Sequence, residues 1–531
     1  MIVVSFIVWI NAIYINITRP IPRAGGEYSE GIVGQPLYIN PILSQTSEAD
    51  SDLVSLIYSG LFKYDKDGKI TNDLAESYEV SDDHLQYTIH LRKGVKWHDG
   101  TVLDGDDVFF TYNIIQDPSY KSPLRQNWQG ITVSQSGENT IVFNLKNPFA
   151  GFLDSLTVGI LPKHIWENIA PEKFALAEYN LHPIGSGPYM ANSDFQKDSK
   201  GNILTYNLSA FKNFYNGVPY ITKITFDFYL DDEALLAAYN KKEVMGMGNV
   251  APEKNDNIKN TKSTNLRELV IPRYFAVFMN QTKSVSLADD TVRKALNESV
   301  DRSLIISKAL YGKGEPINSP FFPGMLGYQQ ADFSPKLEDA NKILDDAGWK
   351  VDQSDGVRKK NGTSLEFELD TTDWPELSQT AQLLAEQWKK IGAKVKVNAL
   401  SVSDLQQNYI KTRNYDSLLL GQAINFSNPD FYSYWHSDKT GLNLANLNNK
   451  DADSKLEAIR QEFDQAKLEQ EYKDFQDILT KENPAVFLYG QKYLYPTSST
   501  LQGVTAQNIN SPSQRFVDVN KWYVRTSRVF K

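Results

Sequence analysis

Six histidines, at positions 84, 90, 98, 164, 182 and 436, are the side chains best suited to metal binding or proton transfer at neutral pH. None forms a His-x-His or His-Glu-x-x-His pair, so no single element presents two imidazoles together and a dedicated metal site is disfavoured. His98-Asp99 falls in a turn-like segment, where a solvated or capping histidine is the simpler reading, and it is assigned no role. Gly185-Ser186-Gly187 is preceded by Pro183 and Ile184, so the Gly-x-Ser-x-Gly spacing of a nucleophile elbow fails and a tight glycine turn is expected. Gly312-Lys313 lacks a glycine five residues before Gly312, and no dinucleotide fingerprint opens a strand-helix unit, so nucleotide cofactors are not implied. The 65 carboxylates leave an acid and base pair of the glycosidase kind open, since its members need only be near in space. Solvated faces and helix caps account for most of them.

The elements that must position any site alternate between strand and helix. Ser47 and Asp50 predict a cap for a helix over 48–58 that buries Leu53, Leu56 and Ile57, with Leu61 just beyond. Tyr87, Ile89 and Leu91 alternate with Thr88 and His90 as a half-buried strand. A turn at Asp99-Gly100 leads to an acidic cap, Asp104 with Asp107, and to a helix carrying Val108, Tyr112 and Ile115 on one face. Leu365, Phe367 and Leu369 mark another strand; Leu377, Ala381, Leu384, Trp388 and Ile391 mark the following helix face, which Gly392 ends. Val395 and Val397 then resume the two-residue period, a strand-helix-strand succession that implies a parallel pair and an α/β architecture. No fixed-period repeat or low-complexity run is present.

A chain of 531 residues exceeds one ordinary core, so two or three lobes are expected. Its 28 Tyr, 26 Phe and 9 Trp suit aromatic-lined clefts. The net charge of -10 argues against nucleic acid, whose binding rests on clustered cations, and favours a small neutral or cationic ligand. Cysteine is absent, which removes disulfides, thiolate metal sites, cysteine nucleophiles and a lipid-bearing N-terminal cysteine from this sequence. Met1 to Ile17 is interrupted only by Ser5, Asn11 and Asn16 and carries no charge before Arg19 and Arg23. It reads as an export-type segment, either an anchor or a cleaved signal, although no small-residue cleavage site follows it and the positive charges lie after the apolar run. A buried first strand or helix is the plainer alternative. Arg23 to Gly26 reads as a linker, with the folded part beginning at Tyr28 to Ile39.

The run Leu74-Ala75-Glu76-Ser77-Tyr78-Glu79-Val80-Ser81-Asp82-Asp83, continued by Tyr87-Thr88-Ile89-His90-Leu91-Arg92-Lys93-Gly94-Val95-Lys96-Trp97-His98-Asp99-Gly100 and by Asp106-Asp107-Val108, resembles the signature of the oligopeptide and dipeptide solute-binding family. Further matches are Pro183-Ile184-Gly185-Ser186-Gly187-Pro188-Tyr189, Val292-Arg293-Lys294-Ala295-Leu296-Asn297 with Asp301-Arg302, and Asn428-Pro429-Asp430 before Tyr434-Trp435-His436-Ser437. The resemblance spans about residues 27 to 531. It implies a two-lobed periplasmic-binding-protein-like fold, type II and cluster C, with an extra inserted domain. On that reading 1–20 is the N-terminal anchor or signal, 27–47, 183–272 and 483–531 form lobe I, 48–182 is the insert, and 273–482 is lobe II. Ile271 to Asn280 would be one strand crossing between lobes.

The resemblance also implies a non-catalytic, monomeric, extracytoplasmic receptor. It would need no cofactor, hold a short peptide between its lobes, present it to an ABC permease and be tethered to the membrane through its N-terminal segment. Backbone-binding segments of the family fall on Gln45-Thr46-Ser47 and on Gly421-Gln422-Ala423, and aromatic walls on Trp128, Trp374 and Tyr489, each of which could equally be core. In many members an aspartate after the second segment pairs with the ligand's α-amino group; the matching position here is Asn425, and an amide supplies no charge. Asp430, Asp373 or Asp416 would then compensate, or the ligand would be another solute such as a sugar, opine or metal chelate. A surface hydrolase using two carboxylates and a tethered scaffold with a vestigial cleft are the readings from other classes.

Overall fold

A computed structural model describes Trp9 and residues 14–192, 195–259, 261–438 and 441–531. The elements that matter for the site follow in chain order. The first part of the chain holds strands β1 (Thr18–Arg23) and β2 (Glu27–Val33), helix α1 (Glu48–Ile57), strands β3 (Ala75–Val80) and β4 (Gln86–Leu91), and helix α2 (Gly105–Gln116). Then come β5 (Ile131–Gln135), β6 (Thr140–Leu145), the short helix α3 (Phe152–Ser155), β7 (Ile203–Ala210), β8 (Lys223–Tyr229), β9 (Gly246–Met247) and the long strand β10 (Thr264–Met279). The last third contributes β11 (Glu366–Thr372), helix α4 (Pro375–Lys389), β12 (Lys394–Leu400), β13 (Ser417–Ala423), the long strand β14 (Ala485–Ser498) and β15 (Arg525–Phe530).

Among the described residues one 12-stranded sheet runs through both lobes, its main path ordered β7-β8-β2-β9-β14-β10-β13-β11-β12 after the edge strand Gln196–Lys197. Two strands, β10 and β14, are common to the two lobes. The lobe I end of β10 pairs with β14 from Thr264 to Val270, and its lobe II end pairs with both β14 and β13. Between these stretches the β10–β14 register breaks, from Val270 opposite Lys492 to Tyr274 opposite Gly490, so that Ile271-Pro272-Arg273 stand against the single residue Gln491. Pro272 has no N–H to donate to a ladder, so the bulge sits where the sequence cannot pair. It falls where the strand passes from one lobe to the other.

The expected parallel unit is present: β11 and β12 pair in parallel with α4 as crossover, and Leu377, Ala381, Leu384 and Trp388 are buried beneath it. Gly392 has φ 78°, the left-handed value that a glycine after a helix supplies. Apolar clusters cover both faces of the lobe II sheet. Near the other end of the chain, β3, β4, β6 and β5 form a four-stranded antiparallel sheet, in that order. Helix α2 packs on it and opens with the expected capping box of Asp104 and Asp107. The apolar cluster of this sheet is continuous with that of lobe I, so the insert shares a core rather than owning one.

Three features differ from the sequence reading. Helix α1, assigned to the insert, packs against Pro512–Phe516, and its Asp52 meets Arg515 at 2.8 Å; these contacts bind it to lobe I. Arg515 also donates to Glu30 at 2.9 Å, and all three side chains are buried. Burial pushes Asp52 up to about 6 and raises Glu30, with Arg515 opposing both shifts. The chain joins the fold before Tyr28, because Thr18–Arg23 pairs with Arg525–Phe530 as a two-stranded ribbon. Most of the apolar N-terminal segment, 1–8 and 10–13, lies outside the described residues, and no described helix is long and apolar enough to cross a membrane.

Gly185 and Gly187 are the third difference. Neither adopts a positive φ, so no tight turn requires them. They allow close approach instead: a Cβ on Gly185 would stand 1.9 Å from the Ile57 carbonyl oxygen, and one on Gly187 2.6 Å from that of Leu56. Gly187 donates its N–H to Ile57 at 2.8 Å. His98 holds the same segment from the other side. Its Nδ1 accepts from Gly185 N–H at 3.2 Å and its Nε2 lies 3.0 Å from the Gly187 carbonyl, a pattern that the neutral ring with its proton on Nε2 satisfies at both ends. Burial pushes this imidazole down to about 4, so His98 is a structural strut rather than a solvated turn residue.

Candidate functional site

Two adjoining cavities lie along the cleft and share Tyr64, Leu124, Thr157 and Val158 as common wall. The first, of about 640 Å³, is built at the start of α1 from Gln45, Thr46, Ser47 and Glu48, with 511–514 and 516–520 across from them and Arg273 at the lobe junction. The segment before the helix is held by local bonds. Ser47 Oγ accepts from Asp50 N–H at 3.2 Å as the predicted cap, and the Asp50 carboxylate accepts from Leu37 and Tyr38 N–H at 2.7 and 2.9 Å. Burial raises Glu48, while Arg515 and Arg273 act to lower it.

The second cavity, of about 890 Å³, lies between the insert and lobe II and is lined by Tyr64, Trp128, Asp154, Asn425, Asn428, Asp430 and Arg460 among others. Asp430 and Arg460 neutralise each other through a forked contact, Nε to the two carboxylate oxygens at 3.0 and 3.1 Å and Nη2 at 2.6 Å. Asp154 differs. Its donors are neutral: Tyr64 Oη at 2.7 Å, Asn425 Nδ2 at 3.4 Å, and the Asn428 amide. Among the described residues it has no ion-pair partner, and burial pushes its carboxyl up to about 6 against the lowering effect of those hydrogen bonds. One uncompensated carboxylate therefore stands in the wall beside Asn425, the position where the resemblance had led to a missing charge.

Sequence reasoning named Asp430, Asp373 and Asp416 as compensators and missed Asp154. The structure commits Asp430 to Arg460, and Asp416 accepts from Glu368 N–H at 3.0 Å. Asp154 lies in a different part of the chain from Asn425, and the signal that could have found it is a single acid on a short helix, α3, with no basic residue one turn away.

The remaining named residues fall in several environments. Trp128 lines the second cavity but is itself buried among Tyr112, Phe143 and Phe152. Trp374 is half exposed at the start of α4 and lines neither cavity. Tyr489 corrects the expectation of an aromatic wall: it is fully buried, stacked on Phe275, with its hydroxyl 3.2 Å from Thr380 Oγ1. Gln422 turns its side chain inward, where the amide oxygen accepts from Tyr274 Oη. Gly421 and Ala423 are exposed. β13 pairs with β11 only at Ser417 and Leu418, whereas its other edge pairs with β10 along its whole length. From Leu420 onward no described strand covers the first edge. Leu419 and Ala423 carbonyls accept from Thr371 Oγ1 and Tyr434 Oη on that edge, so the alternation of the strand turns the backbone of Gly421 the same way.

Insert and lobe II touch across the cleft. Ala150 N–H donates to the Arg460 carbonyl at 2.8 Å, and the His84 ring stacks on Phe463 at 3.7 Å.

Comparison with known proteins gives this arrangement relatives. The oligopeptide-binding protein AppA of Bacillus subtilis is 28% identical over 515 residues, spanning 95% of this chain and 92% of that protein. Its solved structure, in complex with a nonapeptide, superposes with a TM-score of 0.72 at 27% identity over 95% of this chain and 100% of that one. NikZ of Campylobacter jejuni in complex with Ni(L-His) gives a TM-score of 0.75 at 25% identity, over 94% and 99% of the two chains. Residues 69–443 match the family described as bacterial extracellular solute-binding proteins, family 5 middle. Two lobes joined by a pair of strands, a cleft between them and a family match over more than half of the length make this chain a member of family 5 of the bacterial extracellular solute-binding proteins.

Proposed function

We propose that the protein captures short peptides in the cleft and delivers them, unconverted, to an ABC importer on the outer face of the cytoplasmic membrane. The observation that carries this reading is the joined pair of cavities, about 640 and 890 Å³, the second of which holds Asp154 in its wall with no ion-pair partner among the described residues. A trough of that size holds several residues, and Asp154 offers a free α-ammonium the ion pair that Asn425 cannot. The uncovered edge of β13 at Gly421 offers backbone groups to an extended chain whatever its side chains are, which gives affinity with little sequence preference. The N-terminal apolar segment holds the receptor at the membrane. Closure of lobe II on lobe I and the insert is the state the permease reads, and ligand favours it only through contacts improved on closing.

A second reading within the family is a receptor for a metal chelate, favoured by the neutral Asn425 and by the likeness to a protein that binds Ni(L-His). Native mass spectrometry of the purified protein separates the two. A ladder of co-purified peptides, with thermal stabilisation by pools of di- to pentapeptides, is expected. A co-purified metal chelate, with no stabilisation by any peptide pool, would overturn the peptide assignment.

A further inference from the structure

The ribbon of β1 and β15 stands apart from the main sheet and differs from the rest of the molecule in charge. The protein carries a net charge of -10, yet Thr18–Arg23 and Arg525–Lys531 contain Arg19, Arg23, Arg525, Arg528 and Lys531 and no acid. The register places Arg19 opposite Val529, Ile21 opposite Ser527 and Arg23 opposite Arg525, so one face presents three arginines. All three are exposed, and among the described residues none is paired with a carboxylate. Arg23 directly across from Arg525 is a like-charge pair, which destabilises an antiparallel ribbon unless an external anion lies between them.

Arg528 closes the end of the ribbon. Its Nε donates to Thr18 Oγ1 at 2.8 Å and its Nη2 to the Ile15 and Thr18 carbonyls, both at 2.9 Å. Exposed apolar groups stand at the Arg19 end of the ribbon: Tyr14, Ile15 and Ile17 ahead of β1, and Phe530 at the end of β15 on the face opposite the three arginines. Aromatic and aliphatic side chains next to arginines are the composition of a surface lying at the boundary between lipid headgroups and acyl chains.

We propose that this ribbon docks on anionic lipid headgroups and fixes the receptor's orientation on the membrane, the C-terminal strand supplying Arg525 beside Arg19 and Arg23. Phosphate groups would sit between Arg23 and Arg525 and relieve their repulsion, while Ile17 and Ile15 at the Arg19 end of the ribbon reach the interface. An acidic protein surface would satisfy the charges but leave the apolar groups without a counterpart. The inference rests on reading the N-terminal segment as membrane-associated, and the test separates the two.

The full chain is titrated with vesicles of pure phosphatidylcholine and with vesicles in which about three lipids in ten are phosphatidylglycerol, at low and high salt. Binding to both is expected, at least about tenfold tighter to the anionic vesicles, with the increment vanishing in high salt. The combined variant Arg19→Gln, Arg23→Gln, Arg525→Gln should keep its neutral-vesicle affinity and lose the anionic increment. Equal binding of the unaltered chain to both vesicles overturns the ribbon proposal and leaves the N-terminal reading standing. An increment insensitive to salt, or one the variant retains, also overturns it. A chain that binds neither vesicle sinks both readings.

Discussion

Under the proposed function, Asp154 is the residue on which ligand chemistry turns. Burial disfavours the charge and pushes its carboxyl up to about 6, so protonation removes the partner of a ligand ammonium within an easily measured range. Affinity for a free-amino peptide should therefore be highest above pH 6 and weaken as the pH falls through that value, up to about tenfold per unit. Asp154→Asn should lower affinity by about ten- to hundredfold at pH 7.5 and abolish that pH dependence, while leaving an N-acetylated peptide almost unaffected. Calorimetric titration of the two peptides against both proteins checks this, and equal losses for both would remove the ion-pair role. His98 gives a prediction of the opposite kind, on stability. Its folded value of about 4 lies below the ordinary imidazole value of about 6.5, so its contribution is complete above about 6.5 and is lost as the pH falls toward 4. His98→Asn should flatten that part of the curve of melting temperature against pH. Asp154 could not be read from the chain because its meaning depends on Asn425 and Tyr64 arriving beside it. Tyr489 was misplaced for the complementary reason: the strand that carries it buries both faces in lobe II, and the two-residue period cannot tell a core face from a cleft face.

At the scale of elements, local signals performed well where they were complete. The cap at Ser47, the box at Asp104 and Asp107, and the α4 crossover ending at Gly392 all lie where spacing put them. These signals concern neighbours along the chain, whose geometry the backbone dictates. The glycines at 185 and 187 show the limit: small size can serve a turn or a close approach, and only the position of Ile57 decides. Gly185→Ala drives a methyl group into a carbonyl oxygen and should cost about 1–3 kcal/mol, since α1 or its neighbours must shift. Chemical denaturation measures it, and a variant within about 0.3 kcal/mol of the parent would contradict the close approach. The pairing of β1 with β15 was equally hidden, because two prolines in Thr18–Arg23 suppress any strand signal between the apolar segment and the linker expected at 23–26.

At the scale of the molecule, the proposed closure would act on a small set of contacts across the cleft, Asn425 on Asp154 among them. His84 on Phe463 and Ala150 on Arg460 join the insert to lobe II, while Ile271-Pro272-Arg273 interrupts the shared strands. Peptide addition should reduce the radius of gyration measured by solution scattering. The pair His84→Ala and Phe463→Ala should shift the unliganded protein toward the expanded form and weaken peptide affinity by a few-fold, about 1 kcal/mol. An unchanged radius with saturating peptide would contradict ligand-driven closure.

The chain enters lobe II along β10 and leaves it along β14, two antiparallel neighbours, so its two crossings lie side by side where Tyr274 faces Gly490. That layout makes the lobe a cassette: it can be exchanged for its counterpart from a relative through two adjacent splices, without rethreading the host. A chimera carrying the peptide-binding relative's cassette should fold and keep Asp154 from the host while taking a new partner at position 425. Its preference for charged or blocked peptide ends would then report, half by half, which lobe writes the selectivity.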